Sequence, residues 1–126
     1  MTDAAACKAK GNEAFAAKNY PEAIEHFTAG IDLDATNHVL FSNRSACYAA
    51  LQKYDDAQND AQKCIEVNPT WAKGFLRLGA ALHGKQEYEK AIEAYHSGLK
   101  IDPELQSLKD GLQSVESAKA ADSNPF

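Results

Sequence analysis

The sequence is poor in cysteine and has no long apolar run. Three cysteines occur among the 126 residues, and none forms a Cys-x-x-Cys pair, which excludes a disulfide framework and the common zinc and redox motifs. Unpaired thiols in odd number are typical of a reducing compartment and favour the cytoplasm. No stretch approaches the roughly 18 apolar residues of a membrane span. The first residues lack the basic and apolar regions of a signal peptide, so we expect neither a leader nor a membrane partner.

An excess of positive charge is also missing. The formal net charge is -5, whereas proteins that bind nucleic acid by bulk electrostatics need a basic surface. We therefore expect no nucleic-acid partner. The length fits one ordinary domain, which we take as residues 1–126.

The signatures of catalysis are absent as well. None of the four histidines has metal-ligand spacing to a cysteine or carboxylate; they are His26, His38, His83 and His96. The serines lack the glycine pattern of a nucleophile elbow, and there is no glycine-rich phosphate loop. The sequence predicts no enzyme, no catalytic residue, no metal and no cofactor.

What the sequence does contain is a repeat of 34 residues. Two matching sets recur at this interval: Tyr20, Tyr54 and Tyr88, followed by Ala23, Ala57 and Ala91. A third set consists of small residues: Gly11, Ser45 and Gly79. The repeats span about residues 4–37, 38–71 and 72–105. Each has two stretches of helical periodicity around a short turn, which predicts a pair of helices packed closely at the small positions.

The last part of the chain looks like a cap for this array. About residues 105–119 carry an apolar stripe with charged residues elsewhere, as in an amphipathic helix that covers the final repeat. Residues 120–126 are polar and are predicted to be a loose tail. The predicted fold class is thus all-α: three helix pairs plus a capping helix. We expect the domain to be a monomer.

Five polar residues on the first helices of the units do not repeat, unlike the packing positions. They are Lys8, Asn12, Asn43, Lys73 and Arg77. Lys73 and Arg77 are four residues apart on one face, an arrangement of like charges that is mildly unfavourable for a helix. Stability therefore does not explain it, whereas a site for anionic groups does, with the asparagine amides as neutral donors. Spacing alone leaves the alternative of ordinary solvated surface residues equally open.

The helix–turn–helix unit with these small and aromatic positions resembles the tetratricopeptide repeat, over about residues 4–105. The resemblance implies a right-handed superhelix whose concave groove is lined by the first helix of each pair. The five polar residues are similar to the carboxylate clamp of one subclass of these domains. The strings KGNEAF at 10–15 and WAKGF at 71–75 further resemble the first repeat domain of the stress-inducible co-chaperones that link Hsp70 and Hsp90.

That resemblance implies a partner and a role for each clamp residue. The partner would be the C-terminal Glu-Glu-Val-Asp (EEVD) segment of Hsp70. Lys8, Asn12 and Asn43 would hold its main-chain carboxylate, and Lys73 and Arg77 its last side chain and the nearby backbone. Further candidates for the groove lining are Phe15, Ala46, Ala49, Ala80 and His83. For each of these alanines taken singly, simple helix packing is an equally good explanation.

Three other functions stay open at this point. The same clamp could prefer the tail of Hsp90, which shares the acidic end and differs just upstream. The domain could target a larger tetratricopeptide-bearing enzyme, such as a phosphatase or ubiquitin ligase. It could also be a self-assembling scaffold.

Overall fold

The computed structural model describes residues 3–123 and is entirely helical over that range. Seven helices follow one another: α1 (Ala4–Ala16), α2 (Tyr20–Leu33), α3 (His38–Ala50), α4 (Tyr54–Val67), α5 (Ala72–Gly84), α6 (Tyr88–Ile101) and α7 (Gln106–Ser123). The predicted all-α class, with three helix pairs and a C-terminal helix, is confirmed. None of these helices is both long and apolar enough to cross a membrane.

The helices form two layers. Each unit packs its own two helices together, and its second helix also contacts the first helix of the next unit. In addition α1 contacts α3, α3 contacts α5, and α5 contacts α7. The first helices of the three units therefore lie side by side in an inner layer, which is where the five non-repeating polar residues were predicted to meet.

Small residues set how closely the helices of a pair approach. A Cβ atom at Gly11 would overlap the ring of the fully buried Phe27, and one at Gly79 would lie 2.7 Å from the ring of Tyr95. The middle unit solves the same crossing differently. Its small residue is Ser45, whose hydroxyl donates a hydrogen bond of 2.8 Å to the carbonyl of Ala57.

The turn inside each unit has the same backbone conformation. Lys18, Gln52 and Gln86 each follow the first helix closely and have positive φ angles of 61°, 61° and 64°. These three positions are equivalent in the repeat. A left-handed residue that is not glycine is mildly strained, so the turn geometry is maintained by the packing of the two helices against each other.

The predicted end of the capping helix at residue 119 is wrong. Helix α7 continues to Ser123, so residues 120–123 are helical and not a loose tail. Ala120 and Ala121 are strong helix formers, and the hydroxyl of Ser123 donates to the carbonyl of Lys119 at 2.9 Å. The side chain of Lys119 also lies 3.5 Å from Glu89, which ties the last turns of α7 to α6. The rest of the predicted tail, 124–126, lies outside the described residues.

Candidate functional site

The inner layer brings two of the five predicted clamp residues into direct contact. Asn12 lies on α1 and Asn43 on α3, and the Nδ2 atom of Asn43 donates to Oδ1 of Asn12 at 3.1 Å. This bond leaves the amide nitrogen of Asn12 free to donate to a ligand. The pair joins the first helices of the first and second units.

Arg77 is the most unusual residue of the set. It lies on α5, is partly buried, and donates from Nε to the hydroxyl of Ser42 on α3 at 3.1 Å. Within residues 3–123, no carboxylate lies within 4 Å of its guanidinium. Burial lowers the pKa of Arg77 below the ordinary value, the direction expected for a cation without a counter-ion. Arg77 is thus a partly desolvated positive charge held in place by a neutral group.

The two lysines of the predicted clamp are less constrained. Lys73 is exposed one turn before Arg77 on α5, with its ammonium 6.0 Å from the centre of the Trp71 ring. Lys8 is partly exposed one turn before Asn12 on α1. Neither lysine has an ion pair in the described part of the chain. Helix geometry puts Lys8 one turn from Asn12 and Lys73 one turn from Arg77, and within residues 3–123 no hydrogen bond or ion pair links Arg77 or either lysine to the asparagine pair.

The residues predicted to line the groove lie on the inner helices α1, α3 and α5. Phe15, at the end of α1, is 39% exposed and meets Tyr20 edge to face at 5.5 Å. Ala46 and Ala49 are partly exposed on α3. Ala80 and His83, on α5, share a cavity of about 330 Å³ whose other lining residues are Tyr54, Gly84, Gln86 and Tyr88. This open cavity lies farther along α5 than Arg77.

Sequence reasoning missed Ser42. It is 1% exposed, and its hydroxyl accepts the hydrogen bond from Nε of Arg77. The available signal was its repeat position, because the equivalent residues are Lys8 and Leu76. A small polar residue at a position that is buried in this unit needs a specific partner.

The described residues offer no site for a metal or a reactive thiol. No three histidine, cysteine or acidic side chains in the range 3–123 are grouped to hold an ion. All three cysteines are buried, and burial raises the pKa of both Cys47 and Cys64 to about 11. These thiols are protonated near neutral pH and act as small packing groups.

Comparison with known proteins identifies the repeat. The family model described as tetratricopeptide repeat matches residues 72–105, and a second model of the same description matches residues 40–70. The solved first TPR of Spaghetti (RPAP3), bound to the HSP90 peptide SRMEEVD, is 33% identical and superposes with a TM-score of 0.86 over 93% of each chain. The chain belongs to the tetratricopeptide repeat family. A related structure, the second TPR domain of human RPAP3 in complex with the HSP70 peptide SGPTIEEVD, is 29% identical, with a TM-score of 0.84 over 90% of this chain and 94% of that one.

Among curated proteins, this tetratricopeptide domain is similar to the organising co-chaperones, as the sequence predicted. It is 52% identical over 125 residues to the heat shock protein sti1 homolog of Schizosaccharomyces pombe, which covers 94% of this chain and 21% of the relative. It is 49% identical over 114 residues to the Hsp70-Hsp90 organizing protein of Triticum aestivum, covering 90% and 20%. The chain therefore spans about a fifth of the length of these relatives.

Proposed function

We propose that this domain is a co-chaperone adaptor that grips the C-terminal EEVD tail of Hsp70 in its inner groove. The observation that carries the proposal is Arg77, a partly buried cation that among the described residues has only a neutral partner, on the same layer as the Asn12–Asn43 pair. A site that holds an uncompensated charge and spare amide donors is suited to a carboxylate ligand. The peptide-bound relatives, whose peptides end in EEVD, support that choice of ligand.

The ligand chemistry matches the residues available. The last residue of an EEVD tail carries two carboxylates, the main-chain terminus and the aspartate side chain. Lys8, Asn12 and Asn43 hold the terminus, and Lys73 and Arg77 hold the side chain. Each hydrogen bond to a charged group contributes about 1.5–3 kcal/mol. Because an extended peptide is ordered on binding, we expect an affinity of about 8 kcal/mol, in the micromolar range.

Residues upstream of the acidic end contact the rest of the groove. Small side chains at Ala46, Ala49 and Ala80 leave room for a branched side chain such as valine, while Phe15 and His83 provide aromatic surface. The cavity beside Ala80 and His83 is open and large enough for a further side chain. These contacts set the preference between chaperone tails, because the last four residues are shared.

The second candidate is the Hsp90 tail. It is favoured by one observation: the first TPR of Spaghetti (RPAP3), 33% identical to this chain, is bound to the HSP90 peptide SRMEEVD. Competition between an Hsp70 and an Hsp90 peptide for the same protein separates the two candidates. A preference for the Hsp90 peptide would reassign the partner and leave the clamp intact.

The domain acts by docking in the cytoplasm and performs no catalysis of its own. The relative from Triticum aestivum is named an Hsp70-Hsp90 organizing protein, which supports an adaptor role. In the alternative of a larger tetratricopeptide-bearing enzyme, the catalytic domain would be another part of a longer chain.

The decisive experiment compares a free-acid peptide ending in EEVD with its C-terminally amidated twin by calorimetry. Amidation removes the terminal charge and should weaken binding by at least about tenfold, the loss of one charge-assisted bond. Lys73→Ala and Arg77→Ala should each weaken binding of the free acid by roughly 10- to 100-fold. Lys100→Ala, which removes an exposed lysine from the outer helix α6, is the matched control and should bind normally. Equal affinity for both peptides would overturn the proposal.

A further inference from the structure

The guanidinium of Arg77 is hydrogen-bonded at its Nε atom to a buried hydroxyl. Ser42 on α3 is 1% exposed, and its Oγ atom accepts the hydrogen bond from Nε of Arg77 at 3.1 Å. In residues 3–123 this is the one hydrogen bond described for the Ser42 side chain. The two residues come from adjacent units and are 35 residues apart in the sequence, so the tertiary fold brings them together.

Packing does not explain a serine at this position. The equivalent residue of the third unit is Leu76, an apolar side chain of the kind that fills space between helices. A buried hydroxyl stabilises a fold only when it has a partner, because its burial removes hydrogen bonds to water. The partner of Ser42 is Arg77, which belongs to the proposed binding site, so the hydrogen bond of Ser42 acts on that site.

The geometry of the bond determines what Arg77 can do. A guanidinium has one donor at Nε and a fork of donors at its two Nη atoms, and it binds a carboxylate best when two donors lie parallel. Ser42 occupies Nε, and no other described residue is hydrogen-bonded to the fork. Because Ser42 is neutral, it fixes the orientation of Arg77 without cancelling its charge, which a carboxylate at the same place would do.

We propose that Ser42 is a positioning residue that aims the Arg77 fork at the last aspartate side chain of the bound peptide. This inference rests on the proposed function and adds a determinant of its specificity. Holding Arg77 in one orientation removes the loss of side-chain freedom that would otherwise oppose binding. It also favours a planar carboxylate over a neutral amide at that position.

A thermodynamic cycle tests the coupling. Affinities for a free-acid EEVD peptide are measured by calorimetry for the wild type, Ser42→Ala, Arg77→Met and the double variant. Ser42→Ala should weaken binding about threefold to tenfold, the equivalent of one hydrogen bond. The double variant should bind no more weakly than Arg77→Met alone, because Ser42 acts only through Arg77. Independent, multiplying effects, or no effect of Ser42→Ala, would overturn the proposal.

Ser45→Ala is the matched control. It removes a second buried hydroxyl from the same helix, one whose hydrogen bond goes to the Ala57 carbonyl and not to the groove. It should lower the free energy of unfolding and leave peptide affinity within about twofold of the wild type. A loss of affinity equal to that of Ser42→Ala would mean that both act through the stability of α3 and would contradict the proposal.

Two further variants protect the test against misfolding. Ser42→Thr keeps the hydroxyl and should restore affinity, whereas Ser42→Cys keeps the size but is a poor acceptor and should not. Replacing the last aspartate of the peptide by asparagine supplies a specificity readout, because Ser42→Ala should reduce the preference for aspartate. If the wild type fails to distinguish free-acid from amidated peptide, the proposed function fails. If it does distinguish them but the cycle shows no coupling, only the positioning role fails.

Discussion

Two partly buried arginines lie on neighbouring inner helices, and their surroundings are opposite. Arg44 on α3 donates from Nε and Nη2 to the two carboxylate oxygens of Asp60, both at 2.8 Å. Its Nη1 atom donates to the hydroxyl of Thr28 at 3.0 Å. In the part of the chain that the structure describes, Arg77 on α5 has one neutral partner, Ser42. Asp60 thus neutralises the charge of Arg44, which we call the completed arginine. Arg77, the incomplete arginine, is bonded to no carboxylate among the described residues.

The pKa values of the two side chains move in opposite directions, because a carboxylate is bonded to Arg44 and burial dominates at Arg77. The hydrogen bond with Asp60 raises the pKa of Arg44, since the anion favours the charged form. Burial lowers the pKa of Arg77, where no carboxylate of residues 3–123 offsets the loss of water. The Arg44 pair, which joins α3 to α4 while Thr28 connects it to α2, is part of the packing. The positive charge of Arg77 can instead pair with the carboxylate of a bound ligand.

The largest expected effect concerns the completed arginine. Asp60→Ala leaves Arg44 partly buried without a counter-ion, since the side chains of the two are only 18% and 7% exposed. Breaking such a pair costs about 3–5 kcal/mol, so the free energy of unfolding in urea should fall by that amount. Peptide affinity, measured at a temperature where the variant is folded, should stay within about twofold of the wild type.

The double variant Arg44→Met with Asp60→Leu sharpens this result. Apolar residues of similar volume commonly replace a buried ion pair at little loss, so most of the stability lost in Asp60→Ala should return. A double variant as unstable as Asp60→Ala would show that the ion pair and its hydrogen bonds themselves stabilise the fold, and that the isolated charge of Arg44 is not what destabilises Asp60→Ala.

The second effect concerns the incomplete arginine. Arg77→Met should weaken EEVD peptide binding by roughly 10- to 100-fold, equal to about 1.5–3 kcal/mol. The free energy of unfolding should be unchanged or higher, because the substitution removes a desolvated charge and keeps an apolar stem. Calorimetry and urea unfolding on the same sample measure both quantities. Destabilisation as large as that of Asp60→Ala would erase the distinction between the two arginines.

A smaller effect is expected at the third contact of Arg44. Thr28→Val keeps the shape of the side chain and removes the hydroxyl that accepts from Nη1. The loss of one hydrogen bond should lower the free energy of unfolding by about 1 kcal/mol. Thr36→Val, at an exposed turn where the hydroxyl bonds only to Asp34, is a comparison substitution and should change stability less. Equal losses would indicate that burial adds nothing to the Thr28 contact.

Sequence reasoning reached the helices through their periodicity, whereas the groove and its lining by the first helices came from the resemblance to the tetratricopeptide repeat. A 34-residue interval fixes which residues are equivalent, and equivalent residues that differ, such as Asn12 and Ala46, stand out. The position of a residue on an inner helix then follows from the repeat. That reasoning does not depend on knowing any contact in advance.

The contacts themselves were not predictable in this way. Ser42 and Arg77 are 35 residues apart, and Arg44 and Asp60 are 16 apart on different helices, so their pairing depends on how the helices cross. The left-handed residues in the turns, such as Gln52, are not glycines and gave no turn signal. The end of α7 was missed because polar composition was taken to indicate a tail, although Ala120 and Ala121 favour helix.

The smallest effect is the response of the two arginines to salt. Raising the salt concentration from about 0.1 M to 1 M shortens the Debye length from about 10 Å to 3 Å. Peptide binding at the open groove should weaken severalfold, since the incoming carboxylates are screened before they reach Arg77. The stability difference between wild type and Asp60→Ala should change by less than about 0.5 kcal/mol, because the Arg44 pair is buried and is screened little. Urea unfolding at both salt concentrations measures that difference, and a difference that shrinks as steeply as the binding would mean that Arg44 is as accessible to ions as Arg77.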